Sequence, residues 1–204
     1  MDPAERDLIN RCQQGDEQAF NELFRRYQSK VFSIVYHLIW NRDDVEDVAQ
    51  NVFARIYFSI RSYHFQGAFA VWVERVTVNQ CFDYLRQKKR QKGAVELDAM
   101  SPEEANMTMQ PTPLRRLPNA EKAAISHQAA RRLLTELSKE DRAMLVLKEV
   151  EGASVQELSK IFKISESNVK IRLMRARHKL RAIYEKSQER VPSLSSESSK
   201  GGRS

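Results

Sequence analysis

The chain has 204 residues, with 34 lysines and arginines against 27 acids, a net charge of +7 and a pI of about 9.5. That length allows one domain or two small ones, and the charge suggests an anionic partner, although ribosomal and membrane-surface proteins share such a balance. No apolar run approaches the ~18 residues of a membrane span, the MDPAERD start lacks a basic-then-apolar signal pattern, and the isolated Cys12 and Cys81 read as reduced packing residues, so the chain is expected in the cytoplasm.

The first elements are helical by period and by cap. Asp2, Pro3 and Glu5 form an N-cap, an N1 proline and an N3 acid. Gly15 ends that short helix and Asp16 caps the next. Phe20, Leu23, Phe24, Tyr27, Val31, Ile34, Val35 and Leu38 then recur at three- and four-residue steps, predicting a long amphipathic helix that Asn41 breaks. Asp43 with Glu46 is expected to cap a third helix, whose apolar side is Val45, Val48, Ala49, Val52, Phe53 and Ile56. Its opposite side carries Asp44, Glu46, Asp47, Gln50, Asn51 and Arg55. Acids near a helix start answer the macrodipole, but that says nothing about Gln50 or Asn51.

Tyr63, His64, Phe65, Phe69 and Trp72 crowd a short loop and the start of the fourth helix. The same helix ends in five basic residues, Arg86, Lys88, Lys89, Arg90 and Lys92, with no acid after Asp83. Aromatics for unpaired bases followed by cations for phosphates are a recipe for single-stranded nucleic acid. The competing account is structural: Phe69, Trp72, Val73 and Val76 have core spacing, and cations suit a helix C-terminus.

Residues 93–120 hold four of the six prolines and no sustained helical period, which is linker composition. The Ser-rich stretch 187–204 is expected to be a disordered tail. Between them, residues 121–186 read as a compact helical unit of about 60 residues, near the lower size for an independent core. Ser138 with Asp141 opens one helix, which Gly152 can close. Ser154 with Glu157 is a capping box for the next, and Ser165 caps the last.

That last helix is unusually basic. From Lys163 to Arg181 there are seven basic residues (Lys163, Lys170, Arg172, Arg175, Arg177, Lys179, Arg181) against one acid, Glu166. At about 100° per residue, Val169, Leu173, Ala176, Leu180 and Ile183 form one stripe that must face a core. Ser167, Ile171, Met174, Arg175 and His178 point the opposite way. Two short helices with a basic second member suit a helix-turn-helix, whose second helix enters the DNA major groove. There Ile171 and Met174 could meet thymine methyl groups. A solvated basic face on a surface helix is the alternative.

Neither block shows strand alternation or hairpin signals, so the expected fold is all-α: two small helical domains joined by a flexible linker. His37, His64, His127 and His178 have no metal-ligand spacing with each other or the cysteines. No Gly-rich phosphate loop and no paired carboxylates in an apolar setting are present either. An enzyme, a metal site and a cofactor are therefore not expected.

Over residues 5–92 and 121–184 the chain resembles bacterial RNA polymerase sigma factors of the extracytoplasmic-function (ECF) group. DDVEDVAQNVF at 43–53 is similar to the family's polymerase-binding helix, D-A-E-D-x-x-Q-E-x-F. HFQGAFAVWVERVTVNQCFDYLRQKKR is similar to its −10-element segment, and VQELSKIFKISESNVKIRLMRARHKLR to its −35-reading unit. The resemblance implies region 2 at 1–92 and region 4 at 121–186. It implies that Asp44, Glu46, Asp47, Gln50 and Asn51 meet the clamp of the polymerase β′ subunit. Phe65, Asn79, Asp83, Arg86, Lys89 and Arg90 would serve the melted −10 element. Ser167, Lys170, Ile171, Arg172, Met174, Arg175, Arg177, His178 and Lys179 would serve the −35 element. Core RNA polymerase, promoter DNA and an anti-sigma factor are the implied partners, with no membrane insertion.

Three positions depart from the family pattern. Asn51 stands where Glu is usual, removing one charge. One residue separates Gly67 from Phe69 where about three are usual, implying a tighter loop. Lys163 replaces a turn glycine, which requires either a positive φ or a differently built turn. A regulator sharing only the C-terminal unit would leave the N-terminal motifs unexplained. A family member that titrates a partner without initiating transcription remains compatible with the shortened loop.

Overall fold

The computed structural model describes residues 2–39, 41, 43–95 and 133–189, and every regular element among them is helical. The N-terminal half contains α1 (Pro3–Gln13), α2 (Glu17–Leu38), α3 (Asp43–Ser59), a 3₁₀ turn (Ile60–Ser62) and α4 (Phe69–Val95). The C-terminal half contains α5 (Lys139–Glu149), α6 (Val155–Phe162) and α7 (Glu166–Glu189).

Local chemistry sets most helix starts. Asp2 accepts from the Ala4 N–H, and Asp16 accepts from the Gln18 and Ala19 N–H groups. Gly15 takes φ +89° between them, a conformation that side-chain-bearing residues rarely adopt. Ser138 accepts from the Asp141 N–H, the Ser154–Glu157 capping box is complete on both sides, and Ser165 accepts from the Asn168 N–H. The third helix corrects the expected cap. It already includes Asp43, and Asn41 caps it instead, accepting from the Asp43 N–H at 3.3 Å and donating to Asp44 at 2.8 Å.

The apolar stripes meet as their spacing requires. Leu23, Ile34, Val35, Val52, Ile56, Ile60, Phe69 and Val73 are almost wholly buried where α2, α3 and α4 pack together. Each such side chain gains about 1.5–3 kcal/mol from burial, so this bundle dominates the stability of the half. Cys12 and Cys81 are buried free thiols, pushed up to about 11 and about 12 by desolvation. They are packing residues, as expected. In the C-terminal half Met144, Leu147, Leu158, Val169 and Leu173 form the corresponding core.

Two boundaries differ from the sequence reading. Helix α4 runs to Val95, through residues 93–95 of the expected linker, and α7 continues to Glu189, into the expected tail. Both helices carry their i→i−4 bonds past the point where the apolar stripe ends, since propagation costs little once a helix exists. Residues 96–132 and 190–204, with most of the expected linker, the start of the C-terminal unit and most of the tail, lie outside the described residues.

The halves touch. Helix α5 packs on α2, and α6 packs on α4. Ser33 Oγ on α2 donates to Glu151 Oε1 after α5, at 2.6 Å. Beneath this contact Lys30 Nζ donates to Glu74 Oε1 at 2.6 Å. Burial raises the Glu74 carboxyl above its usual range, Lys30 opposes the shift, and Glu157 and Glu151 add to it.

Candidate nucleic-acid and polymerase interfaces

Three surfaces carry the residues singled out from the sequence. On α3, Glu46, Asp47, Gln50 and Asn51 are exposed and unobstructed by the helix's own packing side. Asp44 differs from them. It accepts hydrogen bonds from Tyr84 and Asn41 and lies 3.4 Å from Lys88 Nζ. Burial alone would raise its carboxyl, but those donors hold it below the usual carboxylate value. Asp44 therefore ties the start of α3 to α4 rather than standing on the open face.

The second surface surrounds the loop before α4. Gln13 Nε2 donates to the carbonyls of Ile60 and Tyr63 at 2.9 and 2.8 Å, which fixes the loop to α1. Tyr63 is buried, and its hydroxyl donates to the Gly67 carbonyl at 2.7 Å across the shortened loop. Phe65 sits at φ +56°, a costly conformation for an aromatic residue, with the Arg6 guanidinium 5.2 Å from its ring centroid. Trp72 stacks on Phe69 with centroids 5.2 Å apart and meets Tyr63 at 5.6 Å. Trp72 is thus a half-buried packing residue with one edge outward, which favours the core reading of its spacing. The strain at Phe65 was not legible in the sequence; only the loop length hinted at it.

Further along α4, Asn79, Asp83, Arg86, Lys89 and Arg90 are all exposed, and Arg86 pairs with Asp83. Asn79, Asp83 and Arg86 line a cleft of about 470 Å³ whose other wall includes Lys139 and Glu140 of α5. Lys139 Nζ lies 5.2 Å from the centroid of the Phe82 ring. A larger cleft of about 730 Å³ separates Tyr63, His64, Gly67 and Trp72 from Glu157, Lys160 and Lys163 of the α6 segment. These contributions from the C-terminal half had no local sequence signal.

The third surface is α7. Lys163 closes α6 in the left-handed conformation, φ 55° and ψ 44°, which settles the turn in favour of a positive φ without glycine. Val169, Leu173 and Ala176 are buried, while Ile171 and Met174 are 44% and 52% exposed on the opposite side. Ser167, Lys170, Arg175 and His178 are exposed with them. The flanking cations are anchored instead. Arg172 Nε bonds Asp141 Oδ1 at 2.7 Å, Arg177 Nη2 bonds Glu149 Oε1 at 2.5 Å, and Lys179 donates to the Glu136 carbonyl. Their heads are held along the helix edges, where phosphates would flank an inserted helix.

Fold and surfaces together define an all-α, two-lobed nucleic-acid-binding protein with a helix-turn-helix in its second lobe. The chain matches the family model of sigma-70 region 2 over residues 23–91 and that of sigma-70, region 4 over residues 127–180. It is 31% identical over 173 residues to the ECF RNA polymerase sigma-E factor of Haemophilus influenzae, spanning 83% of this chain and 89% of that protein. To the ECF RNA polymerase sigma-E factor of Escherichia coli it is 32% identical over 173 residues, spanning 83% and 88%. Among solved structures, CnrH in complex with the cytosolic domain of CnrY aligns with a TM-score of 0.66 at 22% identity, over 90% of this chain and 98% of that one. The sigma factor RpoE in complex with the anti-sigma factor NepR from Bartonella quintana aligns with a TM-score of 0.64 at 17% identity, over 81% and 96%. At these identities the structural likeness is one of fold.

The chain belongs to the ECF sigma factors of the sigma-70 family. Sigma factors are transcription initiation factors rather than catalysts. No helix among the described residues is long and apolar enough to cross a membrane.

Proposed function

We propose that this sigma factor acts in the cytoplasm without cofactor, metal or catalytic chemistry, contacting core RNA polymerase and two promoter elements through separate surfaces. Region 2, residues 1–92, uses Glu46, Asp47, Gln50 and Asn51 on α3 against the clamp of the β′ subunit, with Asp44 orienting the helix from behind. Phe65, Asn79, Asp83, Arg86, Lys89 and Arg90 serve the melted −10 element. Region 4, residues 121–186, inserts α7 at the −35 element. Ile171, Met174, Arg175 and His178 face base edges, Ser167 lies at the groove entrance, and Lys170, Arg172, Arg177 and Lys179 hold phosphates. Residues 93–120 join the halves, so binding by one raises the effective concentration of the other.

The observation that carries this reading is the outward face of α7. It exposes two large apolar side chains between tethered cations, on a helix whose opposite side is buried at Val169, Leu173 and Ala176. A solvated basic surface gains nothing from Ile171 and Met174. Control by an anti-sigma factor is part of the proposal, and the RpoE relative was solved bound to one.

The test is in vitro transcription with core polymerase on a promoter library, alongside core pull-downs with Asp47→Ala and Gln50→Ala. Specific initiation is expected, with each substitution weakening core binding about fivefold or more, the range of interface residues that matter. Core binding without initiation from any promoter would mark a titrating protein. Undiminished binding by both variants would remove α3 from the polymerase interface.

A further inference from the structure

Helix α3 carries a feature that its polar face does not explain. Phe58 is 76% exposed, more than any other large apolar side chain among the described residues that stand open, and Tyr57 beside it is 42% exposed. At about 100° per residue, Asp47, Asn51, Ala54 and Phe58 fall on one stripe about 60° wide. Phe58 thus continues the line of Asp47 and Asn51, about 16 Å further along the axis at 1.5 Å per residue.

The aromatic pair is built rather than loose. The Tyr57 ring stands edge-on to Phe20 of α2, with centroids 4.9 Å apart and planes at 83°. Phe58 stands edge-on to Tyr57 at 5.5 Å and 80°. Phe20 itself packs against the core. A chain of perpendicular rings therefore props Phe58 outward from the bundle, and little rotamer freedom would be lost when a partner covered it. The C-terminal half packs on α2 and α4 and leaves Phe58 open. The remaining candidate to cover it is whatever seats on the polar part of the same stripe.

We propose that Tyr57 and Phe58 form an apolar anchor that extends the polymerase-binding face of α3 toward its C-terminus and seats in a hydrophobic depression of the clamp. This rests on the assignment of α3 to core polymerase. It also gives Asn51 a context: the stripe carries one carboxylate, Asp47, followed by the amide of Asn51 and then the exposed aromatic Phe58. Its affinity comes from desolvated apolar area as much as from charge. Interface hot spots are enriched in aromatic side chains, Trp and Tyr above all, ringed by contacts that exclude water.

The experiment measures equilibrium binding of the full chain to core polymerase at low and high salt, for wild type, Phe58→Ser, Phe58→Leu and Asp47→Ala. Phe58→Ser is expected to weaken binding about tenfold at both salt concentrations. Phe58→Leu should retain most of the affinity, and Asp47→Ala should lose its effect as salt rises. The melting temperature and duplex-DNA binding of Phe58→Ser should match wild type, because the ring is exposed. Undiminished core binding by Phe58→Ser overturns the anchor while leaving α3 as the polymerase helix if Asp47→Ala is weakened. A wild-type dimer that Phe58→Ser makes monomeric, with core affinity unchanged, overturns it in favour of a second copy as occupant. Wild-type chain that does not bind core polymerase overturns the α3 assignment and the anchor together.

Discussion

The two helices proposed to face DNA stand in different surroundings. The outward face of α7 is open, with Ile171 and Met174 about half exposed and Lys170, Arg175 and His178 free of the protein core. The equivalent face of α4 is overhung by the other half, since Asn79, Asp83 and Arg86 share a cleft with Lys139 and Glu140. The loop from Tyr63 to Gly67 likewise looks across a cleft at Glu157, Lys160 and Lys163. The proposed −35 surface on α7 is open in this arrangement. The proposed −10 surface on α4 is exposed but shares its cleft with α5, and we infer that a melted strand has more room there once the halves separate. The contact that must be broken combines helix packing, α5 on α2 and α6 on α4, with the Lys139–Phe82 contact and polar pairs. Ser33–Glu151 is its one hydrogen bond among those described, and Glu151 and Glu157 crowd the already buried Glu74 with like charge. Relative motion is the ordinary expectation for two small domains in one chain unless their interface is large and hydrophobic.

The largest expected effect comes from preventing that opening. Ser33→Cys with Glu151→Cys, joined by a short bis-maleimide crosslinker, should reduce initiation and single-stranded −10 DNA binding by about a hundredfold, two powers of ten in affinity being ~2.7 kcal/mol. Binding of −35 duplex should stay within about twofold. Cys12 and Cys81 are buried thiols with raised pKa and should remain unreacted. Normal initiation by the crosslinked chain would show that the overhang does not obstruct α4. On the open side, Ile171→Ala should cost about 1 kcal/mol at the preferred −35 sequence and relax preference at one position. Lys170→Ala should instead weaken all sequences alike and reduce the salt slope by about one. Identical salt slopes for the two variants would break the division into base readers and phosphate holders. Glu151→Ala should raise single-stranded DNA binding by the free chain about threefold to fivefold, the worth of one partly exposed hydrogen bond at ~1 kcal/mol. An unchanged value would move the latch elsewhere.

What could be read from the sequence was what acts over four residues or fewer. The caps at Asp2, Asp16, Ser138, Ser154 and Ser165 are as their spacing required, and helix-angle arithmetic correctly separated buried Val169 and Leu173 from exposed Ile171 and Met174. Asn41 is the local exception: it accepted the α3 cap because its amide can also donate to Asp44, which Asp43 as a cap could not match. Longer-range partners left no trace in local pattern. Arg172 finds Asp141 31 residues away, Arg177 finds Glu149 at 28, and Asp44 is taken by Tyr84 at 40. The overhang on α4 depends on how the two halves pack together, which neither periodicity nor capping encodes. Motif resemblance could place the surfaces but not say which of them is covered.

The smallest expected effect tests the wall opposite the loop. Glu157 closes the capping box of α6, accepting from the Ser154 backbone N–H at 2.7 Å, and it lines the cleft facing Tyr63 and Trp72. That backbone bond, with the Ser154 hydroxyl, holds its carboxyl below the usual glutamate value despite a small burial cost. A depressed acid stabilises the fold above its unfolded pKa, and the contribution is lost as pH falls through the folded value. Glu157→Ala should therefore cost about 0.5–1 kcal/mol at pH 7, and the gap to wild type should narrow as pH is lowered from 5 toward 3. Denaturant melts at stepped pH measure it. Across the junction of the halves Glu157 is repelled by Glu74 and attracted by Lys30, so the same substitution removes two opposing charge interactions. It should leave single-stranded DNA binding nearly unchanged, unlike Glu151→Ala. A rise with both substitutions would mean that capping of α6, rather than charge at the junction, governs how far the C-terminal half leans over α4.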